Sequence, residues 1–224
     1  MTGCFVTGTD TGVGKTFVST ALARHARSLG ARVFAFKPIE TGCHGLGADQ
    51  QALCEAAGGW QRGELQGLYR FALPAAPRVA AEAEGAAIDL DRVLATTRAG
   101  AASADFTVVE GAGGWRVPLT ESADIAILAR ALGLAVVVVA RAGLGTINHS
   151  LLTVEAVERD GCQVRALVLS VLPTDSLEFA RSNAVEIQRR WSGRIVLFQS
   201  DPAVLAPLCS TWNTTSARDL SPSE

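Results

Sequence analysis

The chain has 224 residues, of which 48% are hydrophobic, and this length suits one domain or a small pair. A formal net charge of −2 provides no electrostatic footprint for nucleic acid or for an anionic membrane surface. Five cysteines without a CxxC pair argue against disulfides and zinc sites and for free thiols. With no signal-peptide pattern and an apolar run broken at Arg141, a cytoplasmic location is expected, without nucleic-acid or membrane partners.

Strand and helix patterns alternate along the chain. Strands are predicted over 3–8, 31–38, 105–114, 134–141, 163–173 and 194–198. Helices are predicted over 15–30, 48–59, 88–103, 122–133, 146–161 and 176–191, and the stretch 60–87, rich in Gly, Ala and Pro, is predicted to be loop. This order predicts an α/β fold, with a mostly parallel sheet and helices on both faces. Residues 1–209 are expected to form a single nucleotide-binding domain, and the polar segment 210–224 a frayed tail.

The segment "GTDTGVGKT" (8–16) lies between the first strand and the first helix, where phosphate loops occur. Gly12 and Gly14 would let backbone N–H groups face a phosphate, and Lys15 and Thr16 would serve phosphate oxygens and Mg²⁺. The usual pattern has its first glycine where this chain has Thr9. The segment predicts a phosphate-loop NTPase-like nucleotide site but does not specify the reaction.

Two carboxylates are candidate Mg²⁺ ligands beside Thr16. Glu110 stands at the end of the strand 105–114 and is followed by glycines at 111, 113 and 114, which allow close approach of a phosphate or substrate. Asp49 begins a predicted helix, and the sequence leaves its role open between ligand and N-cap.

A second lysine stands at the end of the second strand, in "FKPIETG" (36–42). Taken alone, Lys37 is more simply explained as a solvated charge at a strand end. An ATPase that activates water does not need a lysine there.

The segments "GTDTGVGKT", "KPIETG", "VEGAGGW" and "GLGTINHSLLT" together resemble dethiobiotin synthetases, in the right order over residues 3–172. The resemblance implies an ATP- and Mg²⁺-dependent ring closure of 7,8-diaminopelargonate with CO₂ to dethiobiotin, in biotin biosynthesis. It proceeds through a carbamate and a carbamic–phosphoric mixed anhydride and releases ADP and phosphate. It further implies a cytoplasmic homodimer with the substrate site at the subunit interface.

Carried over by position, the resemblance assigns the site residues. Catalysis would fall to Lys37, Lys15 and Thr11, with Mg²⁺ held by Thr16, Asp49 and Glu110. The diamine would be bound by Thr11, Lys37, Thr41, Gly145, Thr146 and Asn148. ATP would be bound by Gly12, Val13, Gly14, Lys15, Thr16, Phe17, Asp49, Glu110, Gly111, Ala112, Gly113, Gly114, Ser170 and Pro202. One departure lies in the base pocket, where Ser170 replaces the asparagine of many members.

Two other classes of protein use similar loops. Partitioning or septum-site switch ATPases carry a lysine early in the loop, where this chain has Asp10, and membrane-bound members have a basic amphipathic tail that is absent here. Amide-forming relatives that act on cobyrinate need a glutaminase domain, and no cysteine here has a recognisable nucleophile setting. Both classes are less consistent with the residues.

Overall fold

The computed structural model describes residues 1–209; the predicted tail, 210–224, lies outside the described residues. Six parallel strands form one sheet in the order β2-β5-β1-β6-β7-β8. Their bounds are β1 Gly3–Gly8, β2 Val33–Phe36, β5 Phe106–Gly114, β6 Ala135–Arg141, β7 Val164–Ser170 and β8 Ile195–Phe198. A separate pair joins β3 (Ile39–Thr41) to β4 (Tyr69–Phe71), also in parallel.

Residues 1–209 contain eight α-helices, of which the last follows the final strand: α1 Lys15–Ser28, α2 Ala48–Ala56, α3 Pro77–Ala83, α4 Leu90–Ala102, α5 Ile125–Leu132, α6 Thr146–Arg159, α7 Leu177–Gln188 and α8 Ala206–Cys209. Several begin at residues whose side chains satisfy free N–H groups. Asp89, Asp124 and Ser176 accept hydrogen bonds from the first turns of α4, α5 and α7.

Buried side chains alternate between the two faces of the sheet. Val137 and Val139 of β6 join a cluster with α1 and α2, whereas Val136 and Val138 join a cluster with α5, α6 and α7. Strands buried on both faces read as continuous apolar runs, which explains "LAVVVVA". The predicted α/β fold, with a mostly parallel sheet and helices on both faces, is confirmed.

The predicted loop over 60–87 is wrong. This stretch contains a 3-10 turn (Gly63–Gln66), β4 and α3. Strand β4 is only three residues long and pairs with an equally short partner, and α3 begins at Pro77, a residue suited to the first turn of a helix. Short elements lack the periodicity from which the longer ones are predicted.

Some boundaries also differ from prediction. The second strand ends at Phe36 rather than at residue 38, because the chain turns at Lys37 and Pro38 and starts β3. The carbonyl of Pro38 then accepts from the N–H groups of Leu68 and Tyr69, which joins the β3–β4 pair to this turn. Lys37 therefore stands at a corner of the backbone.

Strand β1 lies at the centre, between β5 and β6, and successive strands are added on both sides of it. In open parallel sheets of this kind, ligands bind beyond the carboxyl ends of the strands at such a switch point. Within residues 1–209, no helix has the length and apolar character needed to cross a membrane.

Candidate active site

The loop between β1 and α1 has the backbone of a phosphate-binding loop. Gly12 and Gly14 have φ values of 71° and 95°, in the left-handed region that favours glycine. Gly14 is the N-cap of α1 and makes no side-chain cap, so the first N–H groups of the helix remain available to an anion. The N–H of Thr9 donates to the carbonyl of Val139, which anchors the loop to β6.

Gly8 explains why the loop tolerates threonine at position 9. A Cβ atom on Gly8 would lie 2.7 Å from the carbonyl oxygen of Asp10 and 3.0 Å from Lys15 Nζ. The glycine that makes room for the loop therefore stands one position earlier than in the usual pattern.

Lys15 is buried, and its ammonium donates to the carbonyl of Asp10 at 2.9 Å. Burial lowers the pKa of Lys15 to about 8, although the nearby Glu110 carboxylate opposes the shift. A phosphate in the loop would supply the negative charge that this lysine lacks.

Lys37 lies in a second cluster of charges beside the loop, because Lys37 and Thr16 donate to the same oxygen of Glu110. Its ammonium donates to Glu110 Oε1 at 3.0 Å and also pairs with Asp49. Burial alone would lower the pKa of Lys37, but the two carboxylates outweigh it and raise that pKa above its usual range. The solvated strand-end explanation is wrong, because Lys37 is only 7% exposed.

The residues near Lys37 fit a divalent cation. Glu110 is fully buried, its Oε1 accepts from the hydroxyl of Thr16 at 2.8 Å, and its Oε2 has no hydrogen-bond partner among the described residues. A buried carboxylate oxygen without a donor is costly, and a cation would satisfy it. Within 1–209 no group of three or more His, Cys, Asp or Glu side chains could hold a metal ion. Phosphate and water oxygens would have to complete the coordination of Mg²⁺.

A cavity of about 650 Å³ joins the loop to the charge cluster. It brings together most of the predicted site, namely Thr11, Gly12, Gly14, Lys15, Thr16, Phe17, Lys37, Thr41, Asp49, Glu110, Ala112 and Gly113. Of the other glycines in this segment, Gly111 packs against Phe5 and Gly114 approaches the carbonyl of Gly8. The Val13 side chain is buried in the core.

Three predicted substrate residues do not line this cavity. Gly145 caps α6, Thr146 is buried and shares a hydrogen bond with Ser150, and Asn148 is exposed. All three lie just beyond the carboxyl end of β6. A single chain does not join them to the cavity.

Ser170 and Pro202, the predicted base contacts, are not among the residues that line the cavity. Ser170 is 2% exposed, and its hydroxyl has no hydrogen-bond partner among the described residues. A Cβ atom on Gly14 would come within 2.6 Å of that hydroxyl, so Ser170 lies directly against the loop. Phe17 is 40% exposed and packs on Phe198 with ring centroids 4.7 Å apart, and Pro202 begins a 3-10 turn after β8.

Sequence reasoning missed part of the cavity wall. Glu40, Val117 and the segment 74–77 also line it. Glu40 belongs to the quoted "KPIETG" but received no role. The segment "PAAP" falls within the stretch predicted to be loop, and only its prolines could have indicated an ordered wall.

Comparison with known proteins identifies the family of the chain. A family model described as "AAA domain" matches residues 2–197. Curated proteins named "ATP-dependent dethiobiotin synthetase BioD" match nearly the whole chain. The protein from Anaeromyxobacter dehalogenans (strain 2CP-C) is 47% identical over 97% of this chain and 93% of its own length. That from Anaeromyxobacter sp. (strain K) is 46% identical over the same shares. The similarity thus extends past residue 172, the end of the range over which the motifs indicate the resemblance.

Solved structures share the fold at low identity. The "MinC:MinD cell division protein complex, Aquifex aeolicus" gives a TM-score of 0.55 at 14% identity, covering 95% of this chain and 86% of that chain. The "Structure of Cyanthece apo McdA" gives 0.51 at 12% identity, covering 93% and 90%. At such identity the likeness concerns the fold alone.

The phosphate loop, Lys15, Lys37 and the carboxylates of Asp49 and Glu110 lie together at this cavity. Identities of 46–47% over 97% of its length show that the chain belongs to the ATP-dependent dethiobiotin synthetase family.

Proposed function

We propose that this protein closes 7,8-diaminopelargonate and CO₂ into the cyclic urea of dethiobiotin, with ATP converted to ADP and phosphate, as a step of biotin biosynthesis. The observation that carries the proposal is the buried Lys37, held by Glu110 and Asp49 in the cavity that the phosphate loop also lines. A chain that only hydrolysed ATP would have no use for a second buried ammonium at this position.

The chemistry needs positive charge at two places. One amine of the substrate takes up CO₂ as a carbamate, the carbamate oxygen attacks the γ-phosphate, and the second amine then displaces phosphate from the mixed anhydride. The first attack brings two anions together, so placed cations must offset their repulsion. Lys15 serves the phosphates from the loop, and Lys37 serves the carbamate from the end of β2.

Thr16, Asp49 and Glu110 would hold Mg²⁺. When bound, the ion supplies charge that neutralises phosphate oxygens. Thr16 and Glu110 are already oriented, because the threonine hydroxyl donates to the carboxylate at 2.8 Å. The Asp49 side chain, 38% exposed, lies nearer the solvent.

The remaining residues divide into those that would bind ATP and those that would bind the diamine. The amides and side chains of residues 12–17 and 111–114 would bind ATP, with Ser170 and Pro202 on the side of the base. Thr11 and Thr41, which both line the cavity, would contact the reacting end of the diamine.

The carboxylate end of the substrate would bind at Gly145, Thr146 and Asn148 of a second copy of the chain. This start of α6 suits a carboxylate, because its first N–H groups lack a side-chain cap. The adjacent Leu144 is 97% exposed, as expected for a side chain covered in a homodimer. We further propose that 1–209 is a single domain and that the enzyme acts in the cytoplasm.

The test is product formation from defined substrates. Purified protein with 7,8-diaminopelargonate, ¹³C-bicarbonate, ATP and Mg²⁺ should yield a cyclic urea that retains the label, detected by mass spectrometry. Omitting the diamine should stop ADP release. ADP release at an unchanged rate without diamine, and no urea, would instead support a switch ATPase.

A further inference from the structure

Helix α2 carries Asp49 but has no capping side chain of its own. Its N-cap is Gly47, with φ −66° and ψ 147°, and no local side chain accepts from the first turn. Free N–H groups at a helix start normally need an acceptor when they are buried.

The acceptor comes from another element, strand β3. Glu40 is 6% exposed, and its two oxygens accept from the N–H groups of Asp49 at 3.1 Å and Gln50 at 2.9 Å. A Cβ atom on Gly47 would lie 2.2 Å from the Glu40 carboxylate. Glycine at 47 therefore makes room for a cap that reaches in from outside the helix.

Gln50 connects the same helix turn to Lys37. Its Nε2 donates to the carbonyl of Lys37 at 3.1 Å and to that of Tyr69 at 3.2 Å, and its Oε1 accepts from Arg70 Nε at 2.6 Å. The end of β2, the β3–β4 pair and the start of α2 thus form one hydrogen-bonded unit. Asp49 and Lys37 both project from this unit into the cavity.

We infer that Glu40 is a positioning residue, which sets the places of Asp49 and Lys37 by capping α2. The inference rests on the proposed roles of Asp49 and Lys37. Both Glu40 oxygens accept backbone N–H groups, so their function is to fix the helix start, although the carboxylate also borders the cavity. The competing role is direct contact with the metal ion or with the substrate amine.

Capping of α2 and direct contact with the metal ion or substrate can be distinguished by supplying the cap from the helix's own N-cap residue instead of from Glu40. Glu40→Ala removes the carboxylate and leaves space beside Gly47. Adding Gly47→Ser to this variant supplies a hydroxyl at the N-cap, which can accept from Asp49 or Gln50. The double variant has a capped helix but no carboxylate at position 40.

Three quantities are measured for each variant: Mn²⁺ binding in the presence of ADP by electron paramagnetic resonance, amide exchange at Asp49 and Gln50, and kcat with the KM for ATP. For Glu40→Ala we expect Mn²⁺ binding to weaken about ten-fold, as is typical when an outer-shell partner is lost. The two amides should exchange faster, and kcat should fall with the KM for ATP little changed.

The double variant should recover most of the Mn²⁺ binding and the protection of both amides. Gly47→Ser alone should weaken Mn²⁺ binding, because its Cβ atom collides with Glu40. Asp105→Ala is the matched control. Asp105 also accepts a backbone N–H, from Arg32 at 2.8 Å, but at the amino ends of β2 and β5. This control should leave Mn²⁺ binding and kcat unchanged.

If the amides of the double variant are protected but Mn²⁺ binding stays as weak as in Glu40→Ala, the carboxylate acts directly and the inference is wrong. A second measurement does not depend on the engineered cap. Because Glu40 is inferred to act through Asp49, Glu40→Ala should weaken Mn²⁺ binding less than about two-fold further in an Asp49→Asn background. A full ten-fold further loss would overturn the inference. Amide exchange and Mn²⁺ binding are measured without turnover, so they test the role of Glu40 even if no cyclic urea forms.

Discussion

At the scale of single residues, the two lysines of the site differ in what holds them. Lys15 has a backbone carbonyl as its close partner, and burial lowers its pKa to about 8. Lys37 has two carboxylates, which raise its pKa in spite of burial. Among the described residues, Lys15 therefore has no carboxylate as its direct partner, and a bound phosphate would provide the opposite charge. Lys37 already has two such partners and stays protonated at physiological pH.

The charge of Lys37, rather than its hydrogen bonds, should carry its contribution. Lys37→Gln keeps a donor near Glu110 and Asp49 but removes the ammonium. We expect kcat to fall at least about a hundred-fold, or roughly 3 kcal/mol, since electrostatic contacts to developing charge are felt in turnover. ADP binding, measured by calorimetry, should change little. A kcat within a few-fold of the parent would show that the charge is not used in the reaction.

Ser170 should make the enzyme less selective for the base of the nucleotide. Its single buried hydroxyl cannot match the two-pronged contact of an asparagine amide with adenine, while residues 12–16 grip the phosphates of any nucleotide. Losing one polar pair reduces discrimination by about 1–3 kcal/mol, so CTP and GTP should support measurable turnover. Comparison of kcat/KM for the three nucleotides tests this. An ATP preference above about a thousand-fold, some 4 kcal/mol, would mean that other groups read the base.

At the scale of elements, the glycine-rich end of β5 is fixed by side chains that follow it. Trp115 is buried and its indole N–H donates to Asp160 Oδ2 at 2.7 Å, while Arg116 donates to Asp160 Oδ1 at 2.9 Å. Asp160 is the C-cap residue of α6. This contact connects the segment beside the phosphates to the helix whose other end carries Asn148.

Removing that anchor should destabilise the protein. Asp160→Ala should lower the free energy of unfolding by about 2 kcal/mol, a usual value for hydrogen bonds to a charged acceptor. Asp160→Asn retains an acceptor for Trp115 and should lose about half as much. Urea denaturation at pH 7 measures both, and equal stability of all three proteins would contradict the prediction.

The same contact predicts a pH dependence. Burial favours the neutral form of Asp160, but hydrogen bonds from Arg116 and Trp115 outweigh it and hold the pKa below its usual 3.8. A carboxyl group with a lowered pKa stabilises the fold above the unfolded pKa and loses that contribution as pH falls through the folded value. The gap between the parent and Asp160→Asn should therefore be constant near neutrality and shrink below about pH 4.

The sequence predicts the long elements because each has a strong period or a clear end. The apolar run of β6, the helix after the phosphate loop and the strand that carries Glu110 all occur where expected. Strands β3 and β4 have three residues each, and their pairing connects positions about 30 apart. No local pattern specifies such a contact, so the wall formed by 74–77 could not be placed.

The site residues were likewise predictable where they belong to strongly patterned elements and unpredictable where they depend on contacts distant in sequence. Lys15 and Thr16 begin α1 and Glu110 lies within β5, and all three are predicted as site residues because glycines adjoin them in these strongly patterned elements. The role of Asp49 stayed open between cap and ligand. The structure shows that the acceptor for this helix start is Glu40. A cap that comes from a different element leaves no trace in the helix sequence, since Gly47 reads as an ordinary loop glycine.

At the scale of the whole molecule, the parallel sheet brings loops from β1, β2 and β5 to one edge, where they enclose the cavity. The loop after β6 ends at the same edge but does not line the cavity. In the arrangement proposed above, the start of α6 from another copy would complete the substrate site.

Mixing the impaired variants Lys37→Gln and Asn148→Ala tests whether two chains share each substrate site. Lys37→Gln removes the catalytic charge, and Asn148→Ala removes a carboxylate contact, which should raise the KM for the diamine. In a mixed dimer one site would combine Lys37 of one chain with Asn148 of its partner and be intact, while the other site would carry both changes. With random exchange, half of the dimers are mixed, so activity at low diamine concentration should return to about a quarter of the parent.

Exchange must be verified by mass spectrometry of subunits of different mass. If mixed dimers form and activity stays at the mean of the two variants, each site is built from one chain, and the substrate carboxylate must bind elsewhere on the chain that supplies Lys37.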